Sequence, residues 1–200
     1  MLPAEDISMF NKKWKTEIFT IPNLLSLFRL LLIPAYLVLY LNATEPKQYW
    51  IAGLILAISC LTDAIDGKIA RHFHMVSTVG KILDPLADKV TQFVLTICLS
   101  LKYPALNPVL VLFVFKEMFQ VITGVVYLRK GKMLSGALPA GKVSTAVLFA
   151  TLTLLVFFPS LPAGFVKTIA LMDSIFLIIS FVSYYCAYFG NAEKLQDWGT

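Results

Sequence analysis

Four aspartates, Asp63, Asp66, Asp84 and Asp88, fall within 26 residues of a strongly apolar stretch of chain, and Glu117 is a fifth acid inside an apolar run. Ionisable groups are costly in such surroundings and normally face a polar cavity or a partner. Asp63 and Asp66 are three residues apart, and Asp84 and Asp88 are four apart. On helices, each spacing puts its pair on one face. Two antiparallel helices joined by a short loop would bring four carboxylates into one small volume. There they would repel one another strongly without a compensating charge. Hard oxygen donors gathered in this way suit Mg²⁺, Mn²⁺ or Ca²⁺. Lys68, Arg71, Lys81 and Lys89 lie beside the acids. They can neutralise the cluster or hold a substrate phosphate, and metal, basic residues and phosphate together are the ingredients of phosphoryl chemistry. The plainer alternative is structural ion pairing, Asp63 with Arg71 or Asp88 with Lys89. Four acids at helical spacing exceed what packing requires. Gly67 and Ala70 continue the face of the first pair, and Gly80 stands one turn before Asp84. Small residues there let helices approach closely or a flat ligand reach the backbone.

The elements that must carry these residues are membrane spans. Of 200 residues, 58% are hydrophobic and only 14% charged, against about 25% charged in soluble domains. Six apolar segments run roughly over 22–42, 48–71, 79–101, 107–129, 142–159 and 165–189, separated by polar or Pro/Gly-containing breaks. Each is long enough as a helix to cross a hydrocarbon core of about 30 Å. Residues 7–20 mix Lys12, Lys13 and Lys15 with Phe10, Trp14, Ile18 and Phe19, which suits a helix lying in the membrane interface. The expected fold is therefore an all-α integral membrane protein of six transmembrane helices with an N-terminal interfacial amphipathic helix. Its parts are an interfacial segment 1–20, a membrane domain 21–190 and a tail 191–200.

Charge sets the orientation. With the N-terminus inside, the inner segments hold eleven Lys and Arg residues and the outer ones only Lys47, Lys102 and Lys167. The positive-inside rule then puts both termini in the cytoplasm, with the aspartates at the inner ends of the second and third spans. Tyr49, Trp50 and Tyr103 near the outer ends fit an interfacial aromatic belt. The net charge of +5 reads as topology and contact with anionic membrane lipids rather than nucleic acid binding. Cys60, Cys98 and Cys186 lie inside apolar runs at no metal or redox spacing. Arg29, eight residues into the first span, is expected to snorkel or to meet an anionic lipid. His72 and His74 are expected in a loop. Asp173 in the sixth span lies nearer the outer side and has no evident role.

Read in full, residues 63–88 are DAIDGKIARHFHMVSTVGKILDPLAD. This resembles the signature of the CDP-alcohol phosphatidyltransferase family, D-x-x-D-G-x-x-A-R-x8-G-x3-D-x3-D. Asp63, Asp66, Gly67, Ala70, Arg71, Gly80, Asp84 and Asp88 match every fixed position, and the resemblance extends to the opening IPNLLSLFR at 21–29. It implies a six-helix membrane fold and two divalent metal ions, Mg²⁺ or Mn²⁺, on Asp63, Asp66, Asp84 and Asp88. It further implies that Asp88 takes the proton of the acceptor hydroxyl. Asp63, Gly67, Ala70, Arg71 and Gly80 would contact CDP, with Arg71 at the pyrophosphate. The implied reaction is attack of an alcohol on the lipid-side phosphorus of CDP-diacylglycerol, releasing CMP at the cytoplasmic face of the cell inner membrane. The implied assembly is a homodimer.

The acceptor is less sharply written. Family members that make phosphatidylglycerophosphate typically carry an Arg-Glu in the fourth span, a second Arg eight residues after the first, and a G-K-x-K-T stretch opening the fifth. Here Lys116-Glu117, Gly124 and Gly141-Lys142-Val143-Ser144-Thr145 stand instead. Two basic residues that would grip the phosphate of glycerol-3-phosphate are absent. Lys142-Val143-Ser144-Thr145-Ala146 looks like the Lys-Val-x-Thr-Ala of the family's eukaryotic-type cardiolipin synthases, whose acceptor is phosphatidylglycerol. The reading leans to phosphatidylglycerol, with glycerol-3-phosphate as the alternative. Lys116, Arg129 and Lys142 are the candidate acceptor contacts, against simple snorkelling at the inner leaflet. A divalent-metal transporter would instead place acids at mid-membrane in broken or repeated helices.

Overall fold

The computed structural model of the chain describes residues 21–72, 80–134, 136–190 and 195–197. Six α-helices account for most of these: α1 (Ile21–Leu41), α2 (Pro46–His72), α3 (Gly80–Lys102), α4 (Asn107–Arg129), α5 (Pro139–Phe157) and α6 (Ala163–Phe189). They correspond one for one to the six apolar runs, with ends within three residues. The interfacial segment 7–20 and His74 lie outside the described residues. His72 is not in a loop but is the last residue of α2. Four of the helices, α1, α4, α5 and α6, are long and apolar enough among the described residues to cross a membrane. The chain is accordingly a membrane protein.

The helices are solvated inside out. On α1 the buried residues are Ser26, Arg29, Ile33, Tyr36 and Tyr40, while Leu24, Leu27, Phe28, Leu31 and Val38 are exposed. On α6 the buried stripe includes Asp173, Ser180 and Tyr184, and the exposed face carries Leu171, Met172, Ile175, Ile178, Ile179 and Val182. Both stripes recur at alternating steps of three and four residues, so each runs along one face of its helix. In water the apolar face would turn inward. In lipid, chains are as apolar as leucine, so association rests on close packing and on hydrogen bonds between helices.

The chain divides within α3 into two units, Met1–Leu95 and Thr96–Thr200. In the first, α1 packs on α2, and α1, α2 and α3 meet around an apolar cleft lined by Ile33, Tyr36, Leu56, Ser59, Thr91 and Leu95. Tyr36 and Tyr40 stack one turn apart on α1, with ring centroids at 5.5 Å, and Tyr49 of α2 meets Tyr40 edge-on at 5.3 Å. The α1–α2 turn is fixed by Gln48, whose Oε1 accepts hydrogen bonds from the Thr44 and Glu45 amides at 2.6 and 3.1 Å. Pro46 opens α2, where a missing N–H costs nothing.

In the second unit α6 packs against both α4 and α5. The α5–α6 pair is an antiparallel hairpin in register. Gly141 meets Tyr184 near one end, and Thr151 meets Asp173 ten residues further along α5. Leu148, Leu152, Leu155 and Leu177 are among the core residues of this unit. A short 3₁₀ turn, Pro104–Leu106, precedes α4, and Tyr103 Oη donates to the Pro159 carbonyl at 2.8 Å. Gly131, at φ 71°, terminates α4 in the left-handed conformation that glycine favours. One feature outside the all-α expectation is a two-stranded ribbon that joins the α4–α5 connection to a strand after α6. Strand β1 (Lys132–Leu134) pairs antiparallel with β2 (Leu195–Asp197), with Lys132 opposite Asp197 and Leu134 opposite Leu195. Part of the stretch read from sequence as a tail is thus held against the α4–α5 turn.

Candidate active site

The four motif aspartates occupy matching ends of consecutive helices. Asp63 and Asp66 stand in the last ten residues of α2, and Asp84 and Asp88 in the first nine of α3. The helical backbone therefore realises the i, i+3 and i, i+4 spacings on which the sequence reading depends. The side chains of Asp63, Asp66, Gly67, Ala70, Arg71, Gly80 and Asp84 lie outside the described residues. Asp88 is described, and its surroundings are informative.

Asp88 faces Arg29. The Arg29 Nη1 donates to Asp88 Oδ1 at 2.5 Å, joining α1 to α3 across 59 residues of sequence. The Arg29 side chain is 3% exposed and that of Asp88 is 51% exposed. The expectation that Arg29 snorkels is therefore corrected: it belongs to the buried stripe of α1 and points at Asp88. Sequence held a signal for this. Arg29 stands at the three-and-four spacing of Ser26, Ile33, Tyr36 and Tyr40, the face that an inside-out helix keeps from lipid.

Hydroxyl groups flanking the motif turn back on their own helices. Thr62 Oγ1 donates to the Ser59 carbonyl at 2.7 Å, and Thr91 Oγ1 to the Ala87 carbonyl at 2.8 Å. Such back-bonding satisfies a hydroxyl locally, so these donors are spent within the helices rather than on the aspartates.

Three further candidates lie in the second unit, and the fold separates one from the others. Lys116 is buried midway along α4, and its Nζ donates to Glu117 Oε1 at 2.8 Å. Arg129 is the last residue of that helix, about 20 Å further along the axis at 1.5 Å per residue. Lys142 sits in the first turn of α5, 13 residues after Arg129 in sequence, and both are exposed. No single phosphate can contact Lys116 and Arg129 together. Lys116 does not snorkel to the surface, because it is buried and paired. Ser144, where the glycerol-phosphate pattern has a lysine, is buried and donates to the Gly141 carbonyl at 3.0 Å. A Cβ at Gly124 would lie 3.7 Å from Tyr188 Oη.

Asp173, unexplained from sequence, is buried on α6, and its Oδ1 accepts from Thr151 Oγ1 of α5 at 3.2 Å. It is part of the polar seam of the α5–α6 hairpin.

Residues 19–184 match the family model described as CDP-alcohol phosphatidyltransferase. The chain is 34% identical over 148 residues to a cardiolipin synthase (CMP-forming) of Streptomyces coelicolor, covering 72% of this chain and 65% of that one. It is 38% identical over 136 residues to a CDP-diacylglycerol–glycerol-3-phosphate 3-phosphatidyltransferase of Aquifex aeolicus, covering 68% and 73%. A protein of the same name from Cereibacter sphaeroides is 34% identical over 105 residues, half of this chain and 47% of its own. The chain thus spans about two thirds and about half of the Streptomyces and Cereibacter proteins. A match over residues 19–184, which include the whole eight-position motif, establishes that the chain belongs to the CDP-alcohol phosphatidyltransferase family.

Proposed function

We propose that this chain transfers the phosphatidyl group of CDP-diacylglycerol to an alcohol and releases CMP. The observation that carries the reading is the complete motif over the end of α2 and the start of α3, within a family match that covers most of the chain. Asp88 is the base. Its carboxylate is anchored on one oxygen and half open, which suits a group that must meet an incoming hydroxyl at hydrogen-bond range. The acceptor oxygen attacks the lipid-side phosphorus, its proton passes to Asp88, and the bond from phosphorus to the CMP oxygen breaks. Arg71 faces the pyrophosphate, and Asp63, Gly67, Ala70 and Gly80 form the nucleotide pocket. Asp63, Asp66, Asp84 and Asp88 offer a wholly carboxylate donor set, which fits two hard divalent cations. Bound Mg²⁺ or Mn²⁺ supplies charge neutralisation on the pyrophosphate.

The acceptor we infer is phosphatidylglycerol, whose free glycerol end is uncharged. The burial of Ser144 and the small Gly124 support this, because the basic pair that would hold a second phosphate is missing at those positions. Glycerol-3-phosphate is the alternative, favoured by the likeness to the Aquifex protein of that name. Arg129 and Lys142 at one depth, and Lys116 at another, are the candidate acceptor contacts. All six helices cross the inner membrane, residues 1–20 lie in its interface, both termini are cytoplasmic, residues 21–190 form the membrane domain and the assembly is a homodimer.

The test uses purified protein in detergent with CDP-diacylglycerol and Mg²⁺ or Mn²⁺. CMP release is followed with phosphatidylglycerol or glycerol-3-phosphate, before and after chelation of the metal. Release with phosphatidylglycerol alone, abolished by chelator and restored by metal, is the expected result. Release with glycerol-3-phosphate alone reverses the acceptor and keeps the mechanism. No release with either, or with a wider panel of alcohols, overturns the reading.

A further inference from the structure

We propose that Arg29 is the positioning residue for Asp88: a buried guanidinium on α1 that holds one carboxylate oxygen and so aims the other. The proposal rests on the reading of Asp88 as base and metal ligand. It also explains why an arginine stands inside an apolar span at all.

The pair is asymmetric. Arg29 is 3% exposed and Asp88 51% exposed, with 2.5 Å between Nη1 and Oδ1. A pair serving only to join helices would bury both partners. A pair on the surface would expose both and fix neither. Here the cation is locked in the helix interface between Ser26 and Ile33, which are both buried, while the anion keeps an open side. A guanidinium is planar and donates along fixed directions, and a charge-assisted bond to Oδ1 restricts rotation of the whole carboxylate. With Oδ1 fixed, the direction of Oδ2 is set by the covalent geometry of the group. A carboxylate that must ligate metal and receive a proton benefits from this constraint, because partners behind metal ligands orient them and their loss typically weakens metal binding about 10- to 100-fold.

Arg29 is buried and bonded to Asp88, so it acts through that carboxylate. That distinction sets the experiment. Arg29→Gln removes the cation. Arg29→Lys keeps the charge but loses the planar donor, and it serves where Arg29→Gln does not fold, as judged by size exclusion and thermal unfolding. Each is made alone and in an Asp88→Asn background. Two readouts are taken: Mn²⁺ affinity by electron paramagnetic resonance, which needs no turnover, and kcat and KM for CDP-diacylglycerol. The expected result is a 10- to 100-fold loss of Mn²⁺ affinity in Arg29→Gln and a smaller loss in Arg29→Lys. A drop in kcat is expected with KM for CDP-diacylglycerol within about twofold, and little further change when Asp88 is already Asn. Variants within twofold of wild type in both readouts overturn the proposal. So does an Arg29→Lys loss of equal size in the Asp88→Asn background. Wild-type protein that binds Mn²⁺ but releases no CMP would instead refute the enzymatic reading, and the Mn²⁺ cycle would still decide the role of Arg29.

Discussion

Asp88 combines an anchored oxygen with an open flank, and its substitution is the sharpest test of the proposed role as base. Asp88→Asn keeps the volume and one acceptor oxygen but cannot take a proton. CMP release should fall by about 10²- to 10⁴-fold, the usual worth of a positioned base, and the unfolding temperature should fall as well, because the buried Arg29 loses its anionic partner. An active Asn variant would assign the proton transfer elsewhere. Asp173 makes the opposite prediction. Its Oδ1 receives the Thr151 hydroxyl, a bond that an amide oxygen reproduces without bringing charge into an apolar hairpin. Asp173→Asn should therefore match wild type in thermal unfolding and in CMP release. Asp173→Ala strands the Thr151 hydroxyl and should cost about 1–3 kcal/mol. If Asn proves as damaging as Ala, the charge of Asp173 is in use. The acids of the motif were legible in sequence because helical spacing is local. The partners of Arg29 and Asp173 were not, because they depend on how one helix is rotated against another 59 or 22 residues away.

At the scale of elements, the six helices were readable because each apolar run is about as long as a bilayer is thick. The main shift is at α5, which begins three residues before the expected 142 because Pro139 opens the helix. The β1–β2 ribbon was not readable: three-residue strands carry no periodic signal, and Lys132 pairs with a residue as distant as Asp197. The start of α5 also shows why glycine stands at 141. A Cβ there would lie 2.6 Å from Tyr184 Oη and 2.8 Å from a carbon of its ring. The same hydroxyl accepts from the Leu138 amide at 3.3 Å, which serves a donor at the helix start that has no partner within the helix. Gly141→Ala should destabilise the protein by about 1–3 kcal/mol through overpacking. Combining it with Tyr184→Ala should cost less than the sum of the two single changes. Additive losses in thermal unfolding would mean that the ring simply swings away.

For the whole molecule, the helices bury Ser26, Arg29, Ser59, Thr91, Lys116, Ser144, Asp173 and Ser180 while exposing leucine, isoleucine, valine and phenylalanine. That distribution is stable only where the surroundings are less polar than the interior, so lipid must cover the exposed faces. Orientation then follows from the flanking charge. If all six helices cross, as proposed, the chain returns to its starting side, and the α1–α2 turn at residues 42–45 and residue 200 lie on opposite faces. The positive-inside rule puts the lysine-poor α1–α2 turn outside. A variant with Cys60, Cys98 and Cys186 replaced and one new cysteine at Thr44 should react with a membrane-impermeant maleimide in intact cells. A cysteine at Thr200 should react only after permeabilisation. Thr44 is exposed and close to a helix start, so failure to label would reflect sidedness rather than burial. The reverse pattern would turn the molecule over, put the aspartate ends of α2 and α3 on the outer face and overturn the proposed cytoplasmic site. Labelling of both positions from outside would mean that one of the six helices does not cross.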